Sequence, residues 1–159
     1  QELKKQLDVD GRTYQCSYIE LGRPGIPHLA LELPALAKQD EDALRRLGRA
    51  LRYHPALPKG ANVNFYTLTG TDEVLIRTYE RGVEDFTCAC GTGTGAVVSV
   101  LTLAGRVSGT AVRVKMRGGV LTMDVTARDG AARDLFLTGP ARLVARGEVF
   151  PEELLKNEI

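Results

Sequence analysis

Cys90 stands immediately before Gly91-Thr92-Gly93-Thr94-Gly95, a glycine-rich stretch that runs into an apolar segment. A thiol in that place has defined chemistry. If the glycines open a helix, its first N–H groups find no partner inside it, and with the helix dipole they favour a thiolate and bind anions. Glycine also lets a ligand carboxylate come close to the backbone. Cys90 is therefore a candidate base or nucleophile, and the amides of Gly91, Thr92 and Gly93 are candidates for holding a negative group. The residues alone leave a second account open, in which Cys90 is a small buried hydrophobe beside a tight turn.

The same stretch, Gly91 to Ala96, fits the dinucleotide pattern GxGxxG/A. That pattern calls for a strand before it, an exposed helix after it and an acidic residue about 20 positions on. Arg113, Lys115 and Arg117 occupy that region instead, and the flanks read as antiparallel hairpins. No Lys-Ser/Thr pair follows the glycines, which excludes a Walker loop.

The elements that must position Cys90 can be read from periodicity and punctuation. Extended pieces are expected around Tyr14–Glu20 and His28–Leu33, separated by Gly22-Arg23-Pro24-Gly25-Ile26-Pro27. A helix follows, with Asp40 as N-cap and Ala43, Leu44, Leu47, Ala50 and Leu51 at helical spacing until Pro55 and Pro58 stop it. Asn62–Thr69 and Glu73–Tyr79 read as strands. Val112, Val114 and Met116 alternate with basic residues, and Gly118-Gly119 turns the chain into Val120–Ala127, making a hairpin. Asp129-Gly130 and Gly139-Pro140 punctuate two further short strands, and Pro151 starts a helical turn over Glu152–Asn157. The segment 91–104 is apolar on every side, so as a helix it belongs in the middle of a structure, while its β-branched residues would also suit a strand.

Composition sets the outer bounds. The chain has 159 residues, 43% hydrophobic and 26% charged, with a net charge of +1, as in an ordinary soluble domain. Bulk charge thus gives no reason to expect a nucleic-acid partner. No apolar run approaches the roughly 18–20 residues of a membrane span, and the polar N-terminus does not read as a signal peptide. Three cysteines, two of them one residue apart, are no disulfide framework, which points to a reducing setting. Without CxxC or HxxxH spacing, no structural metal site is expected.

Glu80-Arg81-Gly82 followed by Ala89-Cys90-Gly91-Thr92-Gly93 resembles the second signature of the diaminopimelate epimerase family, pyridoxal-phosphate-independent racemases and epimerases of amino acids. Gly25-Ile26-Pro27-His28 resembles the family's Gly-Asn-Pro-His, and His54-Pro55 through Gly60-Ala61-Asn62-Val63-Asn64-Phe65 resembles another of its stretches. Thr138-Gly139-Pro140-Ala141, then Val144 and Gly147, resembles its ending, so the likeness runs from about Tyr14 to Glu148.

The resemblance implies an α+β fold, a curved antiparallel sheet wrapped around a central apolar helix. Residues 1–159 would form a single domain matching only the carboxy-terminal half of a two-half enzyme, its amino-terminal half and second catalytic cysteine being absent. The implied activity is isomerase chemistry without a cofactor, the conversion of LL- to meso-diaminopimelate for lysine and cell-wall precursor synthesis. By resemblance Cys90 is one of two thiol acid–bases, Glu80 and His28 assist its protonation cycle, Gly91 and Thr92 offer amides to the substrate α-carboxylate, and Asn62 and Arg81 hold its distal end. The expected partners are an amino-acid substrate and the missing half, with neither nucleic acid nor membrane; a homodimer is also compatible, and the location is cytoplasmic. The chain by itself would then be inactive. Alternatives are a non-catalytic anion- or amino-acid-binding homologue, or an epimerase of another amino acid. Ile26, where the family has Asn, and Phe86, where it often has an acid, favour the alternatives.

The other polar residues have plain structural readings. His54 is expected to cap the helix end. Asn62 and Asn64 alternate along a strand, so that only one need face a ligand. Arg113, Lys115 and Arg117 form the wet face of a hairpin.

Overall fold

The computed structural model describes residues 4–148, and the expected terminal turn Glu152–Asn157 lies outside the described residues. The elements are β1 (Lys5–Val9), β2 (Arg12–Leu21), β3 (Ile26–Glu32), α1 (Glu41–Arg52), β4 (Asn62–Gly70), β5 (Glu73–Glu80), β6 (Asp85–Phe86), α2 (Gly91–Leu103), β7 (Val112–Met116), β8 (Gly119–Arg128) and β9 (Ala131–Thr138). Asp40 caps α1 as expected, its carboxylate accepting from the Ala43 N–H at 2.7 Å.

One sheet carries the strands in the order β1-β2-β3-β4-β5-β7-β8-β9, with β6 attached to β5. Neighbours are antiparallel except β3 with β4 and β5 with β7, which are parallel. Each parallel pair needs a crossover, and the two helices supply them: α1 between β3 and β4, α2 between β5 and β7. They cover opposite faces. Leu29, Leu31, Val63, Phe65 and Tyr79 join the core beneath α1, whereas the alternate residues Ala30, Tyr66 and Ile76 join the core around α2.

This corrects the architecture implied by resemblance. The class, α+β, stands, but the sheet is mixed rather than antiparallel, and it is open, ending at β1 and β9, neither closed nor strongly curled round one helix. The parallel pairs follow from the crossovers, since a strand that returns beside its predecessor in the same direction needs a helix to carry the chain back. Segment 91–103 is a helix, and its residues from Gly93 to Leu101 are all buried. Tertiary burial thus outweighs the strand preference of its valines.

Two turns differ from the sequence reading. β1 was not anticipated, although Asp10-Gly11, both with positive φ (50° and 75°), forms a two-residue hairpin turn into β2. Asp129-Gly130 makes the equivalent turn between β8 and β9, but residues 141–148, beyond Gly139-Pro140, form no regular element.

Candidate active site at the start of α2

Cys90 is the N-cap of α2, with extended backbone (φ −137°, ψ 106°). Its Sγ accepts from the Gly93 N–H at 3.3 Å, as an N-cap serine oxygen would, and its carbonyl accepts from both the N–H and the hydroxyl of Thr94, each at 2.9 Å. The thiol is held by the helix it begins, and the residue is only 7% exposed. One detail differs from the expectation for the three amides: the Gly93 N–H is taken by sulfur. The N–H groups of Gly91 and Thr92 belong to the first turn, where no intrahelical acceptor exists, and both residues are exposed. The anion-holding capacity of this turn therefore rests on two amides.

Behind Gly93 lies a buried polar seam built from three adjacent strands. His28 of β3 pairs with Asn62 of β4, and Asn64 of β4 with Thr78 of β5. All four side chains are buried. Asn64 Oδ1 accepts from the Thr78 hydroxyl at 2.9 Å; its Nδ2 donates to the Leu29 carbonyl at 2.9 Å and lies 3.3 Å from His28 Nδ1. A Cβ added to Gly93 would overlap Asn64 Oδ1 and stand 3.1 Å from both Cys90 Sγ and Thr78 Oγ1. The absence of a side chain at Gly93 is what lets the helix start settle on the seam.

The alternation reading of Asn62 and Asn64 is therefore corrected. Residues two apart on a strand share a face, and both asparagines lie on the α2 side. They divide their tasks: Asn64 knits the seam, whereas Asn62 Oδ1 accepts the Arg81 backbone N–H at 2.8 Å. The guanidinium of Arg81, on an exposed residue, donates to the Lys59 carbonyl at 3.0 Å. Glu80, half-buried at the end of β5, shares the strand face of Thr78, and its carbonyl accepts from Val83 and Glu84 in the following turn. Burial, and secondarily the Arg81 charge, push the pKa of His28 down to about 4, so its imidazole is neutral at neutral pH. Asn64, Thr78 and the bare Cα of Gly93 were not singled out by sequence reasoning as one unit. The signal was present in the spacing of Asn62 and Asn64, once the strand period is applied correctly.

The residues that weakened the resemblance occupy two different settings. Phe86 turns to the α1 side, its ring 6.2 Å from Phe65 and 6.0 Å, edge-on, from Tyr79, so it packs a core instead of lining the thiol site. Ile26, at the exposed start of β3, shares a strand face with His28. Of the other thiols, Cys16 is buried in the α1-side core, where burial pushes its pKa up to about 11, and Cys88 is exposed. His54 does more than cap a helix end: its Nδ1 accepts from the Ala56 N–H and its Nε2 reaches the Asp8 carbonyl, both at 3.2 Å, tying the helix exit to the first hairpin. Lys115 and Arg117 each find an acid, Glu73 at 2.6 Å and Glu41 at 2.7 Å.

Comparison with known proteins gives concordant findings. The family model described as diaminopimelate epimerase matches residues 23–144. Diaminopimelate epimerase of Aquifex aeolicus is 39% identical over 95% of this chain and 52% of its own length. That of Archaeoglobus fulgidus is 37% identical over 94% of this chain and 48% of its own. Among solved structures, a Bacillus anthracis phenazine biosynthesis protein of the PhzF family superposes with a TM-score of 0.55 at 16% identity, covering 79% of this chain and 40% of that one. A hydroxyproline epimerase from Agrobacterium vitis gives 0.54 at 15%, covering 78% and 40%. At such identities these structures speak for the fold alone. The chain spans about half the length of the curated relatives it matches.

These findings correct the expectation that the chain is only a carboxy-terminal half with a missing amino-terminal partner. The match takes in nearly the whole chain, 86–98% of it against the five relatives, so the family likeness does not stop at part of it. The missing half is not retained as a partner.

Proposed function

The chain belongs to the diaminopimelate epimerase family, within the pyridoxal-phosphate-independent racemases and epimerases, and is thereby classed with isomerases; from that premise we propose that it acts in the inversion of the α-carbon of diaminopimelate, LL to meso, with Cys90 as an acid–base. The observation that carries the reading is the placement of Cys90 Sγ as the cap of α2, 3.3 Å from the Gly93 N–H, beside the two unspent amides of Gly91 and Thr92. A carboxylate on those amides would set the adjoining α-carbon beside the sulfur, and the same dipoles would favour negative charge as the proton leaves. An apolar hollow of about 370 Å³ opens at the same turn, lined by Gly91 and Thr92 together with Leu21, Gly95, Met123, Leu135 and Leu137; Cys90 does not line it.

Inversion needs a proton taken from one face of the carbon and one delivered to the other. The two-thiol form of the reaction gives Cys90 one face and a second thiol the opposite one. Cys16, sealed in the α1-side core, and Cys88, two residues from Cys90, do not stand opposite it. The proposal therefore assigns one face only. Among the described residues no helix is long and apolar enough to cross a membrane. With three free cysteines, a reducing cytoplasm is the location we assign.

The test is α-proton exchange. The protein is incubated with LL-diaminopimelate in heavy water and deuterium at the α-carbon is followed by NMR, alongside Cys90→Ser, which keeps an N-cap acceptor but loses the thiol. Deuterium uptake that disappears in Cys90→Ser sustains the reading, and uptake unchanged in that variant overturns it. Uptake into a different amino acid alone would make the chain an epimerase of that substrate. Binding without any exchange would make it a binding homologue.

A further inference from the structure

The two histidines of this chain are bonded differently, and the difference identifies a role for Asn64. His54 has a partner on each ring nitrogen, accepting at Nδ1 from Ala56 and donating from Nε2 to the Asp8 carbonyl. His28 is 0% exposed and has Asn64 beside Nδ1, while its Nε2 is buried without a hydrogen-bond partner. Which proton His28 carries follows from Asn64. The amide atom facing His28 also faces the carbonyls of Leu29, at 2.9 Å, and Asn62, at 3.4 Å. Carbonyl oxygens only accept, so that atom is the NH2 group, and the Thr78 hydroxyl donating to the opposite end agrees. An NH2 group cannot accept a proton from Nδ1; of its two hydrogens one goes to Leu29, and the other is shared between His28 Nδ1 at 3.3 Å and the more distant Asn62 carbonyl. Nδ1 must therefore be the bare, accepting nitrogen, and the single proton of the neutral ring sits on Nε2.

We propose that Asn64 is a positioning residue that holds His28 as the Nε2–H tautomer and so keeps a buried N–H donor ready for an acceptor atom of the bound ligand. A buried donor without an acceptor is costly, and its retention is accounted for when a ligand completes it. Thr78 holds Asn64 in turn, through the Oδ1 that also packs against Gly93 at the start of α2. His28 then contributes a hydrogen bond rather than a charge, in line with its neutral state. That the acceptor is an amino-acid substrate rests on the function proposed above; the tautomer does not.

The experiment labels the full chain with 15N-histidine and records long-range proton–nitrogen spectra at neutral pH, with His54→Gln to assign the two rings. His28 should show a pyridine-type Nδ1 and a pyrrole-type Nε2. Asn64→Asp, whose carboxylate presents only acceptors, should put a proton on Nδ1. A proton on Nδ1 in the unmutated protein overturns the proposal without need of any variant, as does an unchanged tautomer in folded Asn64→Asp. Addition of diaminopimelate should shift the Nε2–H proton downfield. If that proton does not move in protein that exchanges the substrate α-proton, the donor role fails while the function stands. If the tautomer is as stated but no amino acid is exchanged, the function fails and the assignment of Asn64 remains.

Discussion

β3, β4 and β5 present two unlike faces. Toward α1 they turn Leu29, Leu31, Val63, Phe65 and Tyr79 into a largely hydrocarbon core. Toward α2 the same strands turn His28, Asn62, Asn64 and Thr78 near the helix start, and apolar residues such as Ala30, Tyr66 and Ile76 farther along. The helices match their faces. α1 is amphipathic, buries Leu44, Gly48 and Leu51, and shows Arg45, Arg49 and Arg52 to partly exposed surroundings. α2 is sunk among its neighbours and touches polar groups mainly at its first turn. Both faces bury an apolar core, and the α2 face in addition keeps hydrogen-bonding groups dry and fixed next to a thiol.

Perturbing each face should separate these roles. The largest loss of stability is expected on the α1 side: Phe65→Ala, at a fully buried ring, should cost about 3–5 kcal/mol in urea unfolding. A loss below about 1 kcal/mol would mean that the ring is not held in a close-packed core. Gly93→Ala should cost about 1–3 kcal/mol, since its methyl group must displace Asn64 or Thr78, although alanine is the better helix former. In that variant the tautomer of His28 should also become less well defined, a change that Phe65→Ala should not reproduce in its folded state.

The third contrast lies in pH. His28 binds its proton near 6.5 when unfolded and near 4 when folded, chiefly through burial and then through Arg81. Between these values the unfolded chain holds more protons, so the stabilising contribution, complete above about 6.5, is lost as pH falls toward 4. His28→Gln should therefore flatten the stability profile in that window, by at most roughly 1.4 kcal/mol per pH unit. Parallel profiles for the two proteins would show that His28 is not held neutral. The smallest effect is expected at the surface. Lys115→Ala removes an ion pair with Glu73 at 2.6 Å, with the lysine 43% exposed, and should cost no more than about 1 kcal/mol, diminishing in salt.

Part of the site's geometry was legible before any coordinates. A cysteine ahead of three spaced glycines reads as a thiol beside a helix start, with a strand left open as the alternative, and the structure makes Cys90 the N-cap of α2. The helix at Glu41–Arg52 was legible from its cap and its spacing, and most strands from their alternation. Less was legible where two elements had to meet. The seam of His28, Asn64 and Thr78 joins residues up to 50 positions apart, and no local pattern relates them. Phe86 looked like a departure within the thiol site, yet the chain turns it into the opposite core.

The residues alone decide the local events: which segments alternate, where turns need positive φ, which side chain can cap α2, and which types of group stand near Cys90. These are short-range matters of sterics and hydrogen-bonding capacity. Whether β3 and β4, or β5 and β7, run parallel depends on how the helices cross, and so the mixed, open sheet belongs to the tertiary structure. The same holds for the state of His28. Its spot in the sequence says only that an imidazole follows a proline; its neutrality and its single proton on Nε2 come from being packed out of water against an amide brought there by another strand. Solvation and hydrogen-bond direction are set by neighbours in space, and only the folded chain chooses those neighbours.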